Sequence, residues 1–224
     1  MADFQNKNSV AVAARTNGNR DVISQASYLR WLAQGKLFEA GFGPEDTAAD
    51  SQAALDDTLV TFALQSNGAS KIVVPILFKA MMVADGGALT RIDVAFTKPA
   101  ALCATALTLT GGRAMTSIHN MYQTSPAQTG PTASALYGAA TTFAITASAL
   151  VAGDYVDSHR ETWIDAALTV MTQRQTMVFN FLAEGVPHGM TAGAAMLVYI
   201  NTGTTDSTWL PYVQWAELDL EDLV

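Results

Sequence analysis

Three histidines, a single cysteine and a scatter of carboxylates are the residues of this chain that could support acid–base, nucleophilic or metal chemistry. His119, His159 and His188 stand apart, and none has a second histidine or a cysteine at ligand spacing. A strand-borne metal site needs paired histidines with a carboxylate close by, and neither "HNMYQ" nor "PHGMT" supplies one. The histidines are therefore read as surface or strand-end residues. "GDYVDSHRE" gathers Asp154, Asp157, His159, Arg160 and Glu161, but it lacks the alternating oxygen ligands of a calcium loop and reads as a solvated strand connection. Asp56 and Asp57 read as a polar lead-in to a strand. A G-x-S-x-G elbow, a Walker sequence and a Gly-rich phosphate loop are all missing. The reading assigns no catalytic residue, no metal ligand and no cofactor. In "STWLPYVQWAEL", Trp209, Tyr212 and Trp215 could stack on sugar, but in so apolar a chain they are read as core or subunit contact, as are Trp163 and Met171.

The elements that would position such residues are mostly strands. "TRIDVAFT" alternates Ile92, Val94 and Phe96 against Arg91 and Asp93, and "TMVFNFLAE" alternates Met177, Phe179 and Phe181 with Thr176, Val178 and Asn180. "LVTFALQ" places Val60, Phe62 and Leu64 on one face, and "KIVVPILFKAMMV" places Ile72, Val74, Ile76, Phe78 and Met82 on one face. "AAMLVYI" is apolar throughout, the mark of a central strand covered on both sides. Pro75 has no N–H to donate, so its strand is expected at an edge or bulged there. Further strands are expected near 102–110, 114–122, 140–150, 161–170, 175–183, 193–201 and 209–218. "ADGG" predicts a tight hairpin, and "QTSPAQTGPTAS" a long exposed loop. Eight to ten short strands without βαβ alternation predict an all-β, two-sheet β-sandwich over residues 58–224, with a jelly roll as the expected topology.

Residues 1–57 read as an N-terminal arm and connector outside that sandwich. A short amphipathic helix is expected from Asp21 to Gln34, stopped by Gly35, and "GFGPEDTAADSQAALDD" reads as a Gly-, Pro- and acid-rich link. Half of the residues are apolar and 14% charged, with mean hydropathy +0.19. No apolar run reaches the roughly 18 residues of a membrane-spanning helix. Buried surface between subunits explains the surplus, so an oligomer is expected. Cys103 sits in an apolar run and is expected to pack as a small hydrophobe. No secretory signal is visible, which makes assembly inside a cell the expectation. The net charge is −8. Residues 1–40 hold five cations against three carboxylates, leaving −10 for the rest, too little basic density for strong direct nucleic-acid binding.

With "LVTFALQ", "RIDVAFT", "TMVFNFLAEG" and "AAMLVYINTGTTDSTWLPYVQWAEL" in view, residues 58–218 resemble viral capsid proteins of the single jelly-roll kind. The resemblance is one of architecture and texture. It implies a structural virion protein, assembled in the host cytoplasm, whose partners are copies of itself in a large homo-oligomer. The Arg-rich arm of small RNA-virus capsids is missing, which suits a shell lying over an internal membrane or relying on other virion proteins for packaging. On this reading Tyr28, Trp31, Leu32, Leu37 and Phe38 dock the arm on a neighbouring subunit. A trimeric binding head of the tumour-necrosis-factor or C1q type, a carbohydrate-binding module and a glycan-active enzyme are the competing classes.

Overall fold

Strands with one apolar face must bury it, and here they do so in two antiparallel sheets packed face to face. The computed structural model describes residues 28–42, 48–52, 58–84, 90–103, 107–122, 131–138, 143–145, 155–163, 176–184, 188–202 and 207–220. In chain order the strands are β1 (Leu37–Gly41), β2 (Ala49–Asp50), β3 (Leu59–Val60), β4 (Phe62–Gln65), β5 (Lys71–Ala84), β6 (Thr90–Thr97), β7 (Leu109–Thr110), β8 (Arg113–Ala114), β9 (Ser117–Asn120), β10 (Ser134–Tyr137), β11 (Phe143–Ile145), β12 (Tyr155–Trp163), β13 (Thr176–Asn180), β14 (Ala195–Asn201) and β15 (Thr208–Asp219). A helix α1 covers 28–33 and a short α2 spans Phe181–Glu184. Sheet I runs β13-β5-β15-β1-β9, with β2 added on β15, and sheet II runs β12-β6-β14-β4-β10-β8. The three short strands β3-β11-β7 form a further small sheet.

The space between the sheets is filled from both sides. Phe78, Met82, Trp209, Val213 and Trp215 point inward from sheet I, and Phe62, Leu64, Ile92, Val94, Phe96, Met196 and Val198 from sheet II. Phe62 and Phe78 meet across the layers at 5.2 Å. β14 is buried on both faces, as its unbroken apolar run requires. Met196, Val198 and Ile200 belong to the central core, while Ala195, Leu197 and Tyr199 face Val60 and Leu107 on the outer side of sheet II.

Several sequence expectations change. Residues 37–41 are not arm: β1 lies inside sheet I, paired on one side with β15 and on the other with β9. The strands that flank "ADGG", β5 and β6, belong to different sheets and do not pair as a hairpin, and residues 85–87 lie outside the described residues. "GDYVDSHRE" is not a connection but largely strand β12, antiparallel to β6; of the strand expected near 161–170, residues 164–170 lie outside the described residues. Val60 leaves the face of Phe62 and Leu64 and packs on the outer side of sheet II. In β5 the inward set switches from Val73 to Phe78, Ala80 and Met82, leaving Val74 and Ile76 on the outer face. The cause is a register shift: Gln214 pairs with Leu77 but Trp215 with Pro75, so Ile76 is an extra residue. This meets the expectation for Pro75. On its side away from β15, the described partners are Met190 opposite Val73 and β13 from Leu77 onward, so the missing donor falls between them. Cys103 is partly exposed and its thiol donates to the carbonyl of Lys98 rather than packing as a core hydrophobe. Asp56, Asp57, Met171, residues 21–27 of the expected helix and 123–130 of the expected loop lie outside the described residues.

Candidate functional site: the outer face of sheet I

The expected docking residues are brought together, but on their own subunit. Helix α1 ends in a left-handed Gly35 (φ 68°). The Gly35 N–H donates to Leu32 and that of Lys36 to Trp31, the paired bonds of a Schellman stop. The chain then turns directly into β1, and α1 folds over the outer face of sheet I. There Leu37, Val74, Ile76, Ala216 and Leu218 are buried, with Tyr28, Trp31 and Leu32 packed against them. The Tyr28 hydroxyl reaches the Met121 sulfur at 3.8 Å. Burial raises the Tyr28 pKa, and the nearby Glu39 charge adds to the shift. Leu37 and Phe38 point to opposite faces: Leu37 lies under the helix, and Phe38 stacks on Trp215 at 5.8 Å within the core. Both are buried within the single subunit, at 0% and 5% exposure.

Beyond the helix the same face opens. Outward side chains from β1, β5, β9, β13 and β15 line a depression of about 470 Å³ that includes Glu39, Lys79, Met81, His119, Leu210 and Tyr212. The sheet register sets this group: His119 is opposite Glu39, Tyr212 opposite Lys79, and Leu210 opposite Met81. Gly41 gives the Tyr212 ring its place, since a Cβ there would sit 3.3 Å from the ring's Cδ2. The Tyr212 hydroxyl donates to Glu39 Oε2 at 2.5 Å and accepts from Gln214 Nε2 at 2.5 Å. Burial, followed by the hydrogen bond to Glu39, pushes its pKa up to about 12. The Lys79 ammonium lies 5.8 Å from the ring centre. Ser117 and His119 share a hydrogen bond of 2.8 Å on an exposed strand, but the facing carboxylate, Glu39, is committed to Tyr212.

The other reactive-looking groups are structural. Ser51, Thr202 and Ser207 form a buried hydroxyl cluster to which the Trp209 indole donates at 2.5 Å, fixing the segment that crosses from sheet I to sheet II. Trp209 and Trp215 are fully buried, so they present nothing to a sugar. Glu217, 2% exposed, accepts from the Thr132 N–H (2.9 Å) and hydroxyl (2.7 Å), the Ala133 N–H (2.9 Å) and the Trp215 indole (3.2 Å). His188 stacks on Phe96 at 4.2 Å. Among the described residues no group of three His, Cys, Asp or Glu side chains converges as a metal site would require. No family model, curated protein or solved structure matches the chain.

Proposed function

We propose that this chain is a shell-forming capsid protein of the single jelly-roll kind. The observation that carries the reading is the strand order. Number β1, β4, β5, β6, β12, β13, β14 and β15 from one to eight along the chain. Sheet I then reads 6-3-8-1 and sheet II reads 5-4-7-2. A ribbon that pairs one with eight, two with seven, three with six and four with five gives this order when it is wrapped around a sandwich. All of the pairings between neighbours are antiparallel. The segment between the fourth and fifth strands contributes β9 beside β1 and β10 with β8 beside β4, covering the same end of both sheets.

The roll supports many functions, so assembly is what must be measured. On this reading the partners are further copies of the chain, with an internal membrane or another virion protein lying between the shell and the genome. A net charge of −8 argues against strong direct contact with nucleic acid. Electron microscopy and sedimentation of the purified full chain should find closed or tubular particles. A discrete trimer as the largest species would overturn the shell and favour a trimeric binding head.

A further inference from the structure

The outer faces of the two sheets are covered unequally. The small sheet β3-β11-β7 lies on sheet II, through Val60 and Leu109. Helix α1 covers only the end of sheet I around Leu37 and Ala216. Among the described residues, the end bearing Glu39, Lys79, Met81, His119, Leu210 and Tyr212 is left open as the depression of about 470 Å³. That volume lies within the range of small-ligand clefts, roughly 300–1,000 Å³.

We propose that this open end of sheet I is a saccharide-binding site. The first argument is the polar inventory. The Tyr212 hydroxyl is spent, one bond donated to Glu39 and one accepted from Gln214. What remains for a ligand is the second carboxylate oxygen of Glu39 as acceptor, the Lys79 ammonium as donor, and the ring nitrogen of His119 not engaged by Ser117. Acceptors and donors thus line the same depression. A sugar hydroxyl both donates and accepts, so adjacent hydroxyls on a pyranose satisfy such a mixed set. A simple anion would meet Glu39, and a purely apolar ligand would strip water from Lys79 and Glu39 without replacing it.

The second argument is the floor. Met81 and Leu210 are cross-strand partners and lie beside the Tyr212 ring, giving an apolar strip next to the polar groups. A pyranose has the same two-sided character, with C–H groups on one face and hydroxyls around the rim. The carboxylate is held in place before any ligand arrives, because Glu39 is tied to Tyr212 and the ring is seated on Gly41. Pre-ordering of this kind reduces the entropy lost on binding.

The test is saturation-transfer NMR on the full chain with the methyl glycosides of galactose, glucose, mannose and N-acetylglucosamine, and with sialyllactose. At least one neutral glycoside should show transfer, and Lys79→Ala and Glu39→Gln should each weaken its binding roughly tenfold or more. Leu210→Asp should abolish it, while Lys79→Ala guards against a variant that loses its fold. Transfer from none of the probes, transfer unchanged in Lys79→Ala and Glu39→Gln, or displacement of the sugar by inorganic phosphate would each overturn the site. The inference is independent of the capsid reading: a trimer by microscopy leaves it standing, and its failure leaves particle formation untouched.

Discussion

Glu217 and Tyr212 lie five residues apart on β15, yet they carry opposite kinds of constraint. Four donors converge on the two oxygens of Glu217, which ties Thr132 and Ala133, at the entry to β10, onto the core. In Glu217→Gln the amide nitrogen would face donors on one side and leave them unsatisfied. The expected cost is about 1–3 kcal/mol, seen as a fall in melting temperature of roughly 3–10 °C; an unchanged melt would show that the loop holds itself. Tyr212 should be read by titration. Its neutral phenol is held in the folded state, where the pKa rises from 10.0 to about 12. A group whose folded pKa is raised contributes stability below its unfolded value and loses it as pH climbs through the folded one. Ultraviolet titration should therefore show a late phenol that disappears in Tyr212→Phe. Between about pH 10 and 12, the wild type should lose melting temperature more steeply than that variant. None of this was legible in the sequence, where Tyr212 was one aromatic among three and Glu217 was unremarked. Besides near neighbours on β15 itself, their partners are Glu39 in β1 and Thr132 and Ala133 just before β10, far away along the chain.

At the scale of elements, what the sequence announced depended on how each strand is covered. β13 buries one face and exposes the other, and β6 alternates buried Ile92 and Val94 with half-buried Arg91 and Asp93, so Ile92, Val94 and Phe96, and Met177 and Phe179, are legible from alternation alone. β14 was legible from the opposite sign, an unbroken apolar run. β1 was not. "LFEAG" is short and bounded by glycines, and it is covered on both sides where Leu37 meets the helix and Phe38 meets Trp215, so it shows no clean alternation. β10, with Ala135 and Tyr137 buried, was hidden behind the turn residues of "GPTAS". "ADGG" failed for another reason: turn chemistry reports a reversal, not which sheet the next strand joins. The correction to β1 changes what a truncation should do. Removing residues 1–27 leaves all of the described strands in the chain, so the truncated protein should keep a cooperative melt. Removing 1–41 takes Leu37 and Phe38 out of buried sites worth about 1.5–3 kcal/mol each and strips β15 and β9 of a shared partner. Set against a typical total of about 5–15 kcal/mol, this should abolish the cooperative melt. A truncated 42–224 chain that still melts sharply would mean that β15 and β9 can close on each other.

For the whole molecule, the question is where copies would touch. With Leu37 and Phe38 in the core and Tyr28, Trp31 and Leu32 seated on their own sheet, the docking role first assigned to this stretch has few side chains left within the described residues. Leu29, at 62% exposed, is the large apolar side chain of the described helix that faces away. If assembly depends on the N-terminus, the contribution must come from residues before Tyr28. Fully extended, 27 residues reach at most about 90–97 Å, far enough to leave the parent subunit. The segment is also the more basic part of an acidic chain: Lys7, Arg15 and Arg20 oppose Asp3 and Asp21 within it, whereas residues 41–224 carry −10. Opposite net charge would steer such a segment toward a neighbour's surface, with an effect that weakens as salt rises. Deletion of residues 1–27 should therefore give a protein with the full-length β-type circular dichroism and melt but no particles by electron microscopy. The full chain should assemble less readily as ionic strength increases. Particles that form normally without residues 1–27 would move the contacts onto the exposed parts of the sandwich, where Val83, Val178 and Leu220 remain uncovered on the single subunit.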